Sequence, residues 1–536
     1  MSPADDGNVT DPCSSGRDPP ITQLGLVGDR RTVAVISADG TVQWLCLPNF
    51  DGVPVFGNLL DARRGGFWRL GPERAIAGRQ SYFDKNNVLV TRWDSADCEL
   101  ELIDAMLLPG GARAAADENR RTLLRRLCCR RGLAHCIMDL VPRADFGPGD
   151  AVSRVPGGLE LRLAGQALGL WTSKPVEPGS DKVASDLQLA EGEEFWAVLG
   201  VAEQPAWWDV MAAERALKAT IRHWEEWSGR YRYQGPRQDA VIHAGLAIEL
   251  LSFAPTGALA AAATSSLPER IGGDRNYDYR YAWIRDASMA MATLSVLGDV
   301  ESAERYLSWL AHLDSSTEMP LQVLYRVDGT TDVRQHSRKE LAGYRGSRPV
   351  TFGNHAYRQR QIDCLGYLAD CAVIYLDCGG RWQPEYWSMI SRIADYTARS
   401  WRKPSNGIWE RGKQRHFVSS KVMAWTTLQR ALEFADRTGA DGKLGLWRQT
   451  MVDIHRDVMD RGWSDKLQAF RQHYDTDTLD ASTLLIPLMG FLPADHPRVV
   501  ATVERIEQDL MLDGLVYRFR PEESGNDLPM GRFEGA

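Results

Sequence analysis

Apolar and polar positions alternate in short runs over the first two hundred residues and then switch to a helical period. From Ile21 to about Val201 the runs TVAVIS, TVQWLCL, FWRL, NVLVTRW, LELRLAG and EEFWAVLG are separated by Gly, Asp and Pro. Apolar runs of that length, bounded by turn residues, predict an antiparallel β domain, a sandwich. After Pro205 the stretch AWWDVMAAERALKATIRHWEEWSGRY carries apolar residues at helical spacing with charges opposite them, which predicts a linking helix. From about Gln238 onward, helices are predicted near 238–253, 284–298, 300–313, 356–378, 385–399, 420–437, 442–459 and 497–511. Alternately short and long loops between them predict helical hairpins packed as a bundle or toroid. The chain thus reads as a tail over 1–20, a β-sandwich over 21–205, a linker helix over 206–236 and a helical domain over 237–536.

Composition narrows the function. A chain of 536 residues exceeds what one core usually organises, which agrees with two domains. A formal net charge of −8 with scattered basic residues argues against a nucleic-acid partner. The nine cysteines form no C-x-x-C framework, which predicts a reducing, cytoplasmic setting. Cys364, Cys371 and Cys378 recur every seventh position on one helix face, and small buried hydrophobes explain them better than a metal site, so none is assigned. The opening MSPADDGNVTDPCSSGRDPP has no apolar core for a secretory signal. Pro255 and Gly257 interrupt the longest uncharged stretch, so no membrane span is predicted.

Three loops mix aromatic, charged and glycine residues, the combination that grips a sugar by ring stacking and hydroxyl contacts. In IGGDRNYDYRYAWIRDAS, residues 271–288, Arg285 and Asp286 place a donor beside an acceptor at a helix start, with Trp283, Tyr277, Tyr279 and Tyr281 around them. Asp286 as a plain helix cap with the aromatics in a core is an equal reading, and spacing does not decide between them. In NGIWERGKQRHF, residues 406–417, Glu410 follows Trp409, and burial against a ring is one way to keep a carboxyl protonated. A surface ion pair with Arg411 or Lys413 is the plainer alternative. In MGRFEGA, Glu534 lies between an aromatic residue and glycine. Inverting glycoside hydrolysis needs two carboxyl groups about 6.5–9.5 Å apart. Only the fold could bring Glu410 and Glu534 together. The Gly- and Arg-rich loops at 326–333 and 340–357 suit a pocket rim. No phosphate-loop, G-x-S-x-G or H-E-x-x-H pattern is present.

Beyond these local readings, several long blocks occur in one order: LVGDRRTVAVISADGTVQWLCLPNFD, ATSSLPERIGGDRNYDYRYAWIRDAS, GYRGSRPVTFGN, GIWERG and HFVSSKVMAW. Together they resemble family 15 of the glycoside hydrolases, the family of glucoamylases, glucodextranases and bacterial and archaeal trehalases. The resemblance runs from about residue 21 to the end. It implies a β-sandwich followed by an (α/α)6 toroid, and no cofactor. It also implies an inverting glycosidase releasing β-glucose from trehalose or short α-glucosides. Carried over, Arg285 and Asp286 bind the non-reducing glucose, Glu410 is the general acid, Glu534 is the general base, and Arg411 faces the leaving sugar. Trp283, Tyr281 and Trp409 line the pocket. Members of the family continue past the EGA block, so the last helical hairpin of the toroid is expected to be missing.

The expected partner is a small carbohydrate. A homo-oligomer is compatible with the sequence, whereas nucleic acid and membrane are not expected. Two other functions share these residues: an α-glucoside phosphorylase, which needs no second carboxylate, and a carbohydrate-binding protein without a productive base.

Overall fold

The computed structural model describes residues 18–108, 121–149, 151–163, 165–201, 204–313, 319–410 and 412–520. They form two compact units. The first is Met1–Leu251 with the segments Ala263–Tyr277 and Ser337–Thr351; the second is Ser252–Ala262, Asp278–His336 and Phe352–Ala536.

In the first unit the alternating runs become strands at Val33–Ser37, Thr41–Leu47, Phe67–Pro72, Leu89–Asp94, Gly158–Leu163 and Glu194–Val201. Two antiparallel sheets share the 20-residue strand Thr122–Val141. Its first half pairs with Cys98–Met106 and Glu194–Val201, and its second half with Phe67–Pro72 and Val183–Ala190. Between the halves lies Gly132, at φ +80°. A Cβ there would sit 1.9 Å from the Asp97 carbonyl oxygen, so only glycine fits the switch of sheets. Trp68, Leu70, Leu100, Leu127, Met138 and Phe195 from both sheets fill the core.

The sequence pattern does not single out that shared strand, because Arg125, Arg126, Arg130 and Arg131 interrupt its apolar period. Arg125 is nevertheless fully buried. It pairs with Asp104 at 2.7 Å and donates to the carbonyls of Trp68 and Gly40 at 2.8 and 2.7 Å. A buried guanidinium is tolerated when its donors are matched in this way.

Helix α1 (Val210–Ser228) is N-capped by Asp209, which accepts from the Ala212 amide, and buries Ala213, Leu217, Trp224 and Trp227 at helical spacing. It packs on α2 (Gln238–Leu251), whose Glu249 forms a buried ion pair with Arg30 at 2.6 Å.

The second unit carries α3 (Ile284–Leu297), α4 (Val300–His312), α5 (Asp363–Asp377), α6 (Pro384–Ser400), α7 (Val418–Thr438), α8 (Leu444–Arg461), α9 (Leu485–Leu488) and α10 (Pro497–Leu510). Helices α3, α5, α7 and α9 touch in succession, and α4, α6 and α8 form a second row. Helices α5 and α7 are buried around most of their surface, whereas α8 and α10 bury one stripe. An inner and an outer layer of helices follow from that difference. The helix expected over 356–378 begins only at Asp363, after a single 3₁₀ turn at His355–Arg358 and a short irregular link. No helix among the described residues is long and apolar enough to cross a membrane.

Candidate functional site

The functional side chains of the second unit gather where α3 and α5 begin. Residues Ala282–Trp283 form a two-residue ribbon with Leu324–Tyr325, and the Ile284 amide donates to the Val323 carbonyl at 3.0 Å. That ribbon fixes the entry to α3. From α4, the Tyr306 hydroxyl reaches the Ile284 carbonyl at 3.1 Å and Ser288 Oγ at 3.0 Å, holding the first turn from the other side. Arg285 and Asp286 therefore project from a turn whose backbone is pinned twice.

Asp286 is not the cap of α3. The N-cap is Trp283, without a side-chain cap bond, and Asp286 instead pairs with Arg285 Nη2 at 3.0 Å. Its place in the first turn still suits the helix dipole. The Asp286 side chain is 43% exposed, so an acceptor stays open to solvent beside a fixed cation.

Arg285 joins the parts of the site. Its Nη1 donates to the Ile408 carbonyl at 2.9 Å and to Gln361 Oε1 at 3.4 Å, and its Nη2 lies 3.5 Å from Glu410 Oε1. Burial works against its charge, but Asp286, Glu410, Asp363 and Tyr367 outweigh it and hold the guanidinium above its ordinary value. Asp363, the fully buried first residue of α5, is pushed up by burial against the pull of Arg285.

Glu410 sits on a tight turn, its amide donating to the Gly407 carbonyl at 3.2 Å and its φ at +54°. Such a left-handed conformation is uncommon outside glycine and marks a residue held by its surroundings. Three donors hold the side chain, all at Oε1: Trp283 Nε1 at 2.7 Å, Gln361 Nε2 at 3.4 Å and Arg285 Nη2 at 3.5 Å. It forms an ion pair with Arg285 at 3.5 Å.

The aromatic neighbour of Glu410 differs from the one expected from adjacency in sequence. The Trp409 indole turns away and donates to Asp480 Oδ1 at 2.9 Å, with the Arg518 guanidinium 4.8 Å from its ring centre. The indole that meets Glu410 belongs to Trp283. Tyr281 and Trp283 are buried in a small cluster with Val323, Leu324, Val333 and Ala356, and Tyr279 packs on Trp283 at 5.4 Å. Both roles thus coexist in one residue, because Trp283 is core by its ring and site by its N–H. Tyr277 belongs to the first unit.

The structure brings together Trp283, Arg285, Asp286 and Glu410, while Arg411 and Glu534 lie outside the described residues. It adds Gln359, Gln361, Asp363 and Asp480, which the sequence did not single out. Asp480 is fully buried, accepts from Trp409, Gln472 and the Ser482 amide, and is pushed up by burial. Among the described residues no group of three or more His, Cys, Asp or Glu is arranged to hold a metal ion. The arrangement offers a carboxyl group with one oxygen anchored, next to a fixed cation and an open carboxylate, donors and acceptors that suit a hydroxyl-rich ligand.

Comparison with known proteins gives this geometry a context. The model of glycosyl hydrolases family 15 matches residues 235–534, and that of a trehalase-like N-terminal domain matches 14–173. A trehalase of Mycolicibacterium smegmatis is 33% identical over 95% of this chain and 80% of its own. A trehalase of Thermoplasma volcanium is 28% identical over 96% of this chain and 83% of its own. A bacterial glucoamylase solved with acarbose superposes with a TM-score of 0.68 at 12% identity, covering 94% of this chain and 81% of that one. At that identity the likeness speaks for the fold, a β domain followed by an (α/α)6 barrel.

Proposed function

From the premise that this chain belongs to family 15 of the glycosyl hydrolases, and so is a glycosidase, we propose that it hydrolyses trehalose or a short α-gluco-oligosaccharide with inversion. The observation that carries the reading is the convergence of Arg285, Asp286 and Glu410 within one hydrogen-bonded group. The trehalase relatives favour trehalose as the substrate.

In this reading Arg285 and the open acceptor of Asp286 grip neighbouring hydroxyls of the non-reducing glucose. Glu410 gives its proton to the glycosidic oxygen as the bond to the anomeric carbon breaks, and the leaving sugar departs as an alcohol. Water adds to the opposite face of that carbon and loses its proton to Glu534, which we assign as general base from the family resemblance. The sugar gripped by Arg285 and Asp286 leaves as β-glucose. Trp409, anchored by Asp480, and Arg411 are assigned to the side of the leaving sugar.

Incubation with trehalose, maltose and isomaltose, each with and without inorganic phosphate, tests the proposal. Glucose should appear fastest from trehalose and independently of phosphate. Glucose 1-phosphate formed only with phosphate would replace hydrolysis by phosphorolysis. Glu410→Gln, which keeps the shape but cannot donate the proton, should lower kcat by about 10²–10⁴-fold.

A further inference from the structure

The three donors on Glu410 all meet the same oxygen, and one of them comes from a residue with no assigned role. Gln361 is fully buried, and its amide touches both halves of the site. Its Oε1 accepts from Arg285 Nη1 at 3.4 Å, while its Nε2 donates to Glu410 Oε1 at 3.4 Å and to Gln359 Oε1 at 2.9 Å. Gln359 in turn donates from Nε2 to the backbone carbonyl of Glu410 at 3.1 Å. The two glutamines thus hold the side chain and the main chain of one residue.

Local structure makes this possible. Gln359 has extended backbone angles, φ −75° and ψ 152°, and the Gln361–Gln359 side-chain hydrogen bond places the two amides side by side. The late start of α5 at Asp363 keeps both glutamines in the link before the helix. The Arg360 amide donates to Asn406 Oδ1 at 3.0 Å, and its side chain reaches the Pro404 and Ser400 carbonyls at 2.7 and 2.9 Å, tying the stretch to the segment that leads to Glu410.

We propose that Gln361, braced by Gln359, is a positioning residue that anchors Glu410 through Oε1 so that Oε2 carries the catalytic proton. The inference rests on the reading of Glu410 as the acid. An oxygen that accepts from an indole, an amide and a guanidinium has its lone pairs engaged, and a proton placed there would face N–H groups. Oε2 receives no hydrogen bond from the described residues, which leaves it as the oxygen able to pass a proton to a glycosidic oxygen. The neighbouring guanidinium, a donor only, also fixes which way the Gln361 amide faces. Few side chains serve both contacts. Lysine has no acceptor for Arg285, a carboxylate has no hydrogen to donate to Glu410 Oε1, and asparagine is one methylene too short. The same amide links the group that grips the sugar to the group that protonates it.

The test compares trehalose with α-glucosyl fluoride, whose fluoride leaves as an anion without needing a proton from the enzyme. Gln361→Met keeps the volume and removes both contacts. Its kcat on trehalose should fall by about 100-fold, the cost of an acid displaced by an ångström or so, with KM within a few-fold. On α-glucosyl fluoride the fall should be several times smaller. Gln359→Met should show the same selectivity to a lesser degree, and it serves as the second variant should Gln361→Met fold poorly. Equal losses on both substrates, or no loss on trehalose in folded protein, would overturn the positioning role. Glu410→Gln with undiminished turnover of trehalose would instead overturn the assignment of the acid, so the two failures are distinct.

Discussion

Arg285 is the side chain on which the site turns, because it meets Asp286, Glu410, Gln361 and the Ile408 carbonyl at once. A planar fork with several donors can make these contacts together, whereas an ammonium on a flexible stem cannot. Arg285→Lys should therefore lower kcat/KM on trehalose by about 100-fold, from loss of hydrogen bonds to charged groups, with the melting temperature little changed. Steady-state kinetics beside a thermal melt check both parts. Arg285, Asp286 and Glu410 drew notice as charged residues among aromatics in Gly-rich loops, but local pattern left plainer readings open and the family resemblance is what singled them out. Gln359 and Gln361 were not, because a buried amide in a run such as YRQRQI has no local signature. The aromatic partner of Glu410 was misplaced for a related reason. Adjacency in sequence pointed to Trp409, but the left-handed turn at Glu410 sends the two side chains to different neighbours.

At the level of elements, the strands and most helices follow from period alone, and the exceptions have physical causes. The strand Thr122–Val141 hides its period behind arginines that are matched by acids or carbonyls after folding. Its change of sheet depends on Gly132, and Gly132→Ala should destabilise the protein by about 1–3 kcal/mol in urea unfolding, through left-handed strain and the clash with Asp97. The segment 359–361 stays out of α5 because the Arg360 amide is held by Asn406 and the Gln359 and Gln361 side chains by Glu410 and Arg285, contacts that no helical pattern records. Helix α1 carries a pH-sensitive contact. His223 stacks on Trp227 at 5.7 Å, and burial, aided by Arg30, lowers its pKa to about 4 from 6.5. The native state then binds fewer protons than the unfolded chain between those values. Its contribution to stability is complete above pH 6.5 and is lost as the pH falls towards 4. The urea midpoint should drop across that window, and His223→Gln, which cannot take up a proton, should make the drop shallower.

For the whole molecule, the order of a β unit followed by helical hairpins was legible in the switch of hydrophobic period. The division into units was less so, since the segments Ala263–Tyr277 and Ser337–Thr351 belong with the β unit although helices surround them in sequence. Only long-range packing decides that. The proposed pairing of Glu410 with Glu534, far along the chain, likewise rests on the family resemblance and not on local pattern. Inversion is what the proposed pairing predicts, and product chemistry reads it directly. Trehalose joins two glucose units through α-configured anomeric carbons, so one-step attack by water frees one unit as β-glucose and the other as α-glucose. Proton NMR of the first products, recorded before mutarotation, should show the two anomers in equal amounts. Release of α-glucose alone would contradict the account.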